Sequence, residues 1–466
     1  MVETMEEVPM TEYERRRIEN IKRNGDMLSS LNINSILSNL TDSSLKRLRP
    51  AAPREWQKRI YERSRSSLRT QGIPASHPSG LSYDKPCKLM TPLSNKEPIT
   101  MRNVYNGDEE SHYSFVKRLK ALEMNPVTNV GRVAVQEPVK LESFKLESEN
   151  VTKIVPEGLT VIRILPTSDT TVVVAGNRFG CLGVWEATSR DANNIGKTVH
   201  LYRPHSAIIY GIYVHPFSPT KIYSCCGDGL LRMMDVEREE FDLLYSTSSG
   251  SAIYSLSQPP DDANSVYIGE SLGGLNLYDG RAGKIINSWL LHKDRINSIA
   301  FNPSNTNVLA TASTDALACL WDLRKMNNQH SECKAFKAFT RETSIHSAYF
   351  SPSGSCLAIT SSDHMIAVLR GADFEDNHII YRGHSRHFPN TCSRAIWGWD
   401  DTYLYMGCKK RRVEVLSVPQ RKTTATLESS LVSSIPFQFH AHPCKVGMLV
   451  GAASWGKAFL WTSRDY

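Results

Sequence analysis

From about residue 151 onward, apolar and polar positions alternate in short runs broken by turns, the pattern of half-buried β-strands. The runs recur in sets. "IIYGIYVHP" (208–216) leads into "KIYSCCGDGLLRMMD", "RINSIAFNPS" (295–304) into "VLATASTDALACLWDLR", and "SIHSAYFSPSG" (344–354) into "CLAITSSDHMIAVLR". Each set reads as an alternating strand, a turn holding proline, a strand of small residues, a tight turn, and a third strand ending on a bulky residue. Those end residues are Trp185, Met234, Tyr278, Trp321, Leu369, Leu416 and Trp461, separated by 49, 44, 43, 48, 47 and 45 positions.

Such spacing is the period of WD-type propellers, about 40–45 residues and four strands per blade, lengthened here by insertions. Seven end residues predict an all-β fold, a seven-bladed WD-repeat β-propeller over residues 151–466. One blade cannot bury both of its faces, but in a ring each sheet covers its neighbours. Closure is expected to join "LTVIRIL" (159–165) to the strands ending at Trp461, leaving no long sheet edge free.

The first 150 residues have a different texture. In "TEYERRRIENIKRNGDMLSSL", Thr11 is placed to cap a helix with Glu14 three residues on, and Tyr13, Ile21, Leu28 and Leu31 recur near helical spacing. "LKRLRPAAPREWQKRIYERSRSSLR" sets nine Lys/Arg against Glu55 and Glu62, with Trp56 and Tyr61 between them. We read residues 1–69 as a basic, partly helical and partly disordered extension. Residues 70–150 read as a Pro/Ser-rich linker and lead-in, with 70–110 disordered or loosely draped.

Charge sharpens this division. Residues 11–69 carry fourteen Lys/Arg and seven Asp/Glu, a net of +7 that equals the net charge of the whole 466-residue chain. A basic extension ahead of a near-neutral body points to a polyanion or an acidic partner surface, with a solvated nuclear-localisation tail as the alternative. The ten cysteines show no Cys-x-x-Cys spacing, which points to reduced cysteines packed in strands, with no metal site expected. No apolar run approaches the ~18 residues of a membrane span, so an intracellular protein without membrane contact is expected.

His292, Ser313, Asp315 and Trp321 contain the residue types of a hydrolytic triad. A repeat argues otherwise, because His205 and Asp228 have the same separation of 23. The set is expected to be a buried structural tetrad that fixes a loop. With no Gly-x-Ser-x-Gly, phosphate loop or His-Glu-x-x-His present, neither an enzyme nor a cofactor is expected.

In such a ring, the loop leading into a blade and the hairpin between its second and third strands share one face, called upper here. His205 and His292 lie four residues before Ile209 and Ile296, but His384 lies eight before Cys392, so "SRHF" is an insertion expected to project. Arg386, His387 and Phe388 should therefore stand beside the hairpin that holds Lys409, Lys410, Arg411 and Arg412. Arg178 with Phe179, Lys293 with Arg295, Arg341, His364, and Trp455 with Lys457 occupy equivalent places. Cations displace phosphate counterions and exposed rings stack on bases, so this face is expected to contact DNA.

On the lower face, "YDGR" (278–281) and "WDLR" (321–324) place Asp279 with Arg281 and Asp322 with Arg324. This box resembles that of substrate receptors of cullin-RING ubiquitin ligases, whose arginine helps dock a large propeller adaptor. Local pairing of each arginine with its own turn is the alternative.

"YERRRIENIKRN" (13–24), "TASTDALACLWDLRK" (311–325) and "KRRVEVLSV" (410–418) resemble the DNA damage-binding WD-repeat family, with yeast, plant and animal members. "SRHF" (385–388) is similar to the loop with which the small subunit of the damaged-DNA-binding complex wedges into a lesion, although the run here is His387, Phe388, Pro389 and Asn390. The resemblance implies a nuclear protein of the DNA damage response, favouring damaged or modified DNA. It also implies chromatin proteins as partners and service as a receptor on a cullin-RING ligase. A scaffold acting without nucleic acid is the remaining alternative.

Overall fold

The alternating runs become seven antiparallel sheets arranged as the blades of a propeller. The computed structural model describes residues 97–122 and 139–463, apart from 168, 188–189, 192–193, 196–197, 216, 249, 327–332, 364, 381–392 and 454. In the N-terminal unit, Met1–Lys85, only a few positions between Arg15 and Asp26 are described. They are helical and exposed, within the stretch where a helix is predicted.

Blade 4 shows the common plan. Its strands run from the centre outward as Ile296–Phe301, Val308–Ser313, Leu317–Asp322 and Lys337–Thr340. In six blades the innermost strand is bulged near its start, between Ile296 and Ser298 in blade 4 and at matching places in blades 1, 2, 3, 5 and 7. A bulge increases local twist, which turns each blade from the channel toward the rim. Blade 6 differs, with an innermost strand of only Ile396–Trp397. Every one of the seven end residues lies on a third strand and is buried, from Trp185 and Met234 at 0% exposure to Tyr278 at 4%.

Closure uses a different segment from the one expected. "LTVIRI" is the innermost strand of blade 1 and pairs with Val172–Asn177. Blade 7 is instead completed from the N-terminal side, where Val151–Lys153 and Phe144–Lys145 both pair antiparallel with Lys457–Ser463. The last strand of the chain thus gains an outer neighbour drawn from before the first blade, which removes its open edge.

Part of the stretch read as lead-in is folded onto the ring. Ile99–Thr100 adds a fifth strand to blade 2, opposite Phe241 and Glu240. Helix α1 follows at Glu109–Lys120. Asp108 caps it by accepting from the Ser111 amide at 2.8 Å, with Glu109 and Glu110 in its first turn and Lys117, Arg118 and Lys120 in its last, all favourable to the helix dipole. His112, Phe115, Val116 and Leu119 recur at helical spacing and form its buried face. Phe115 stacks on His200 of blade 1 with ring centres 3.9 Å apart, and Arg118 forks onto Glu186 at 2.7 and 3.0 Å.

Candidate nucleic-acid interface

Backbone contacts fix the upper face. Gly180 has φ of +79°, and a β-carbon there would lie 2.1 Å from the carbonyl oxygen of His205 in the loop leading into the next blade. Gly273 meets His292 and Gly456 meets Val155 in the same way. Only glycine allows this conformation and approach together. Each of these hairpins is thereby locked against the next loop, so residues on neighbouring blades form continuous surface.

The loop-fixing network of blade 4 differs by one residue from the expected tetrad. His292 Nδ1 donates to Asp315 at 3.0 Å. Its Nε2 accepts from the Thr311 hydroxyl at 2.7 Å, and that hydroxyl accepts from Trp321 Nε1 at 2.8 Å, the network itself assigning the tautomer. Ser313 is not a member. It lies two residues farther along the same strand and bonds to the Asp294 carbonyl and the Asp315 amide instead. Thr311 is the diagonal neighbour of Trp321 across the ladder, so its hydroxyl can reach both rings. Blade 2 repeats the arrangement through His205, Asp228 and Ser224, with Met234 in place of the tryptophan. His205, Cys226 and Asp228 are close enough to hold a metal ion, but both ring nitrogens of His205 already have partners.

Burial alone would raise the Asp315 carboxyl. The hydrogen bond from His292 and the amides of Lys293 and Leu317 outweigh it and hold the group at about 2. A depressed carboxyl stabilises the fold above the ordinary aspartate range, and that contribution fades as the pH falls from about 4 toward 2. Asp315→Asn is therefore expected to lower the melting temperature at pH 7 and to flatten its fall between pH 5 and 2. Parallel acid curves for wild type and variant would refute this.

Arg341 has a structural role. It lies four residues before Ile345, where blades 2 and 4 carry the histidine, and it pairs with Asp363 at 2.7 Å, its side chain 16% exposed. Its charge is spent on fixing the loop into blade 5, so it is withdrawn from the set of DNA-facing cations.

The remaining upper-face residues divide into two groups. Lys293 is exposed on blade 4, and Arg295 lies over the Tyr254 ring at 4.8 Å while bonding to Thr314. A longer arc spans blades 6, 7 and 1. It begins at the hairpin of Lys409, Lys410 and Arg411, where Arg411 has φ of +59° and Lys410 and Arg411 are exposed. Arg412 turns aside to pair with Glu428 at 2.5 Å and forms one wall of an open groove with Ser429 and Ser430. The arc continues through Lys457, which bonds to Ser433 at 3.2 Å, and Trp455, 65% exposed. Past the loop at Val155–Gly158 it reaches Arg178 and Phe179, the latter 49% exposed. Glu157 is the one exposed acid of that loop. His364, Arg386, His387 and Phe388 lie outside the described residues.

On the lower face the two Asp-x-Arg boxes adopt one geometry. Asp279 and Asp322 each accept the amide of the arginine two residues on, at 2.8 and 3.1 Å. Arg324 also forks back onto its own Asp322, with both contacts at 2.9 Å, and remains 66% exposed. Arg281 is exposed and its guanidinium meets the Asn264 amide oxygen at 3.2 Å once that side chain is oriented by its partners.

Seven blades of four or five strands, the His–Asp loop locks and the hairpin geometry define a WD-repeat propeller, and the WD domain, G-beta repeat family matches residues 283–322, the outer strand of blade 3 and most of blade 4. Among individual proteins, the chain is 26% identical over 371 residues to DNA damage-binding protein CMR1 of Scheffersomyces stipitis, covering 70% of this chain and 72% of that protein. It is 23% identical to WD repeat-containing protein 76 of Xenopus laevis, covering 97% and 80%, and 22% identical to DNA damage-binding protein CMR1 of Phaeosphaeria nodorum, covering 97% and 99%. Among the described residues no helix is long and apolar enough to cross a membrane.

Proposed function

We propose that this chain is a nuclear, non-enzymatic DNA-binding propeller that favours damaged or modified duplex and acts in the DNA damage response. The observation that carries this reading is the arc on blades 6, 7 and 1, where Trp455 and Phe179 stand exposed among Lys410, Arg411, Lys457 and Arg178. Exposed rings set among cations fit unstacked bases flanked by phosphates. Similarity to proteins named DNA damage-binding protein CMR1 supports the same reading. The basic residues 11–69 add a second, sequence-independent hold on the backbone. Trp455→Ala with Phe179→Ala is expected to weaken binding to a duplex with a flap or UV lesion by about tenfold or more, at about 1–3 kcal/mol per stacked base, and to intact duplex much less. Equal losses on both in a gel shift would reduce the rings to general surface.

A second reading is carried by the matching turns at Asp279–Arg281 and Asp322–Arg324, which present two exposed guanidinium groups on the face opposite the arc. Planar forks of this kind suit carboxylate and carbonyl groups of a protein partner. We propose that they dock the propeller adaptor of a cullin-RING ligase, with DNA on the other face. Arg281→Ala with Arg324→Ala is expected to abolish adaptor pull-down and leave DNA affinity unchanged. Undiminished pull-down would reject the docking.

A further inference from the structure

The channel at the centre of the ring widens toward the lower face into a cavity of about 460 Å³, lined by inner strands of all seven blades. Among the described residues its lining holds Arg163, Arg394, His440 and His442 but no aspartate or glutamate. Arg163 lies on "LTVIRI", the innermost strand of blade 1, and lines the cavity. It donates to a neutral group, the Ile162 carbonyl, at 2.9 Å. Burial, reinforced by the neighbouring Arg394, pulls the Arg163 guanidinium below the usual arginine range, with Tyr349 acting the other way. Arg394 donates to the Tyr349 hydroxyl and to the Asn297 carbonyl, both at 3.1 Å. His440 Nδ1 accepts from the Ile164 amide at 3.2 Å, and burial holds the ring neutral, so its proton sits on Nε2 as a donor.

A guanidinium drawn out of bulk water, as Arg163 is here, is costly unless a counter-charge joins it. The cavity thus offers guanidinium, imidazole N–H and phenol donors with aromatic walls, and its described lining residues include no carboxylate. Its volume is in the range of small-ligand sites. It opens on the face opposite the basic arc, where a duplex held on the upper face does not reach.

We propose that this end of the channel binds a small phosphate-bearing solute, with Arg163 as its principal anchor. The site is separate from the DNA interface and stands whether or not that interface is confirmed. Inorganic phosphate is the probe, titrated into the full chain by calorimetry and by thermal melting, against sodium chloride at equal ionic strength. Saturable one-to-one binding is expected, with a rise in melting temperature that follows occupancy. Arg163→Gln is expected to weaken it by about tenfold or more, the scale of a lost charge-assisted hydrogen bond. Arg163→Lys should keep an intermediate affinity, and the upper-face variant Lys409→Gln/Lys410→Gln/Arg411→Gln should bind phosphate as wild type does. In phosphate-free buffer Arg163→Gln should melt no lower than wild type, because it relieves a like-charge pair. A chloride response equal to that of phosphate, unchanged affinity in Arg163→Gln, or loss of binding in the upper-face variant would overturn the proposal. So would a lower melting point of Arg163→Gln in phosphate-free buffer, which would make Arg163 a structural tie.

Discussion

Replacing Lys409, Lys410 and Arg411 together with glutamine is expected to lower DNA affinity about a hundredfold near 0.15 M salt, since each lost phosphate contact removes about 0.9 from the slope of log affinity against log salt. The hairpin is the most cationic point of the arc, with Lys410 and Arg411 exposed. Arg412 is left in place because its guanidinium is committed to Glu428. Phosphate contacts position a protein without reading its target, so intact and distorted duplexes should lose affinity alike. That outcome separates this variant from the Trp455/Phe179 pair, whose effect should be confined to unstacked DNA. The hairpin backbone is held by the Arg411 amide on the Cys408 carbonyl, so the turn itself does not depend on the Arg411 side chain. Anisotropy titrations across salt check the slope. An unchanged slope would remove the hairpin from the interface.

A chain beginning at residue 156 is expected not to fold cooperatively. It lacks Val151–Lys153 and Phe144–Lys145, so Lys457–Ser463 becomes an open edge. It also lacks Ile99, Met101, Val104, Phe115, Val116, Leu119, Val139, Ile154 and Val155, each under 9% exposed. At about 1.5–3 kcal/mol for each larger side chain, their sum is comparable to or larger than the roughly 5–15 kcal/mol that holds an ordinary domain together. Circular dichroism melts and solubility check this. A soluble truncated chain that melts in one transition at the wild-type temperature would show that closure lies elsewhere.

These two results rest on features that the sequence revealed unequally. The blades were readable because every third strand ends on a buried bulky residue, and one period links all seven from Trp185 to Trp461. The closing strands were not, because strands of two and three residues such as Phe144–Lys145 and Val151–Lys153 carry no period of their own. Helix α1 did leave a trace. Asp108 and the spacing of His112, Phe115, Val116 and Leu119 form a capped amphipathic pattern that the surrounding polar texture obscured.

The site shows the same division. Hairpin positions followed from blade spacing, so Lys409–Arg412, Arg178 and Lys457 were placed on the upper face by counting. What counting could not supply was the partner of each side chain. Arg341 and Asp363 are 22 residues apart and meet only through blade geometry, as do Arg412 and Glu428. Thr311 and Ser313 face the same side of one strand, and the diagonal reach of Trp321 decides between them. Arg163 was visible as a polar interruption in "LTVIRI", but its meaning depended on seven inner strands converging on a single channel.

The central claim, that the upper face grips DNA through phosphates and exposed rings, is tested most directly by salt titration of the full chain. Its affinity for an intact duplex and for one carrying a flap or UV lesion would be measured between about 0.05 and 0.2 M salt. The expected result is a log–log slope of about −3 or steeper on both, with the distorted duplex bound more tightly at every salt concentration. Absent binding, or affinity independent of salt and equal on the two duplexes, would contradict it.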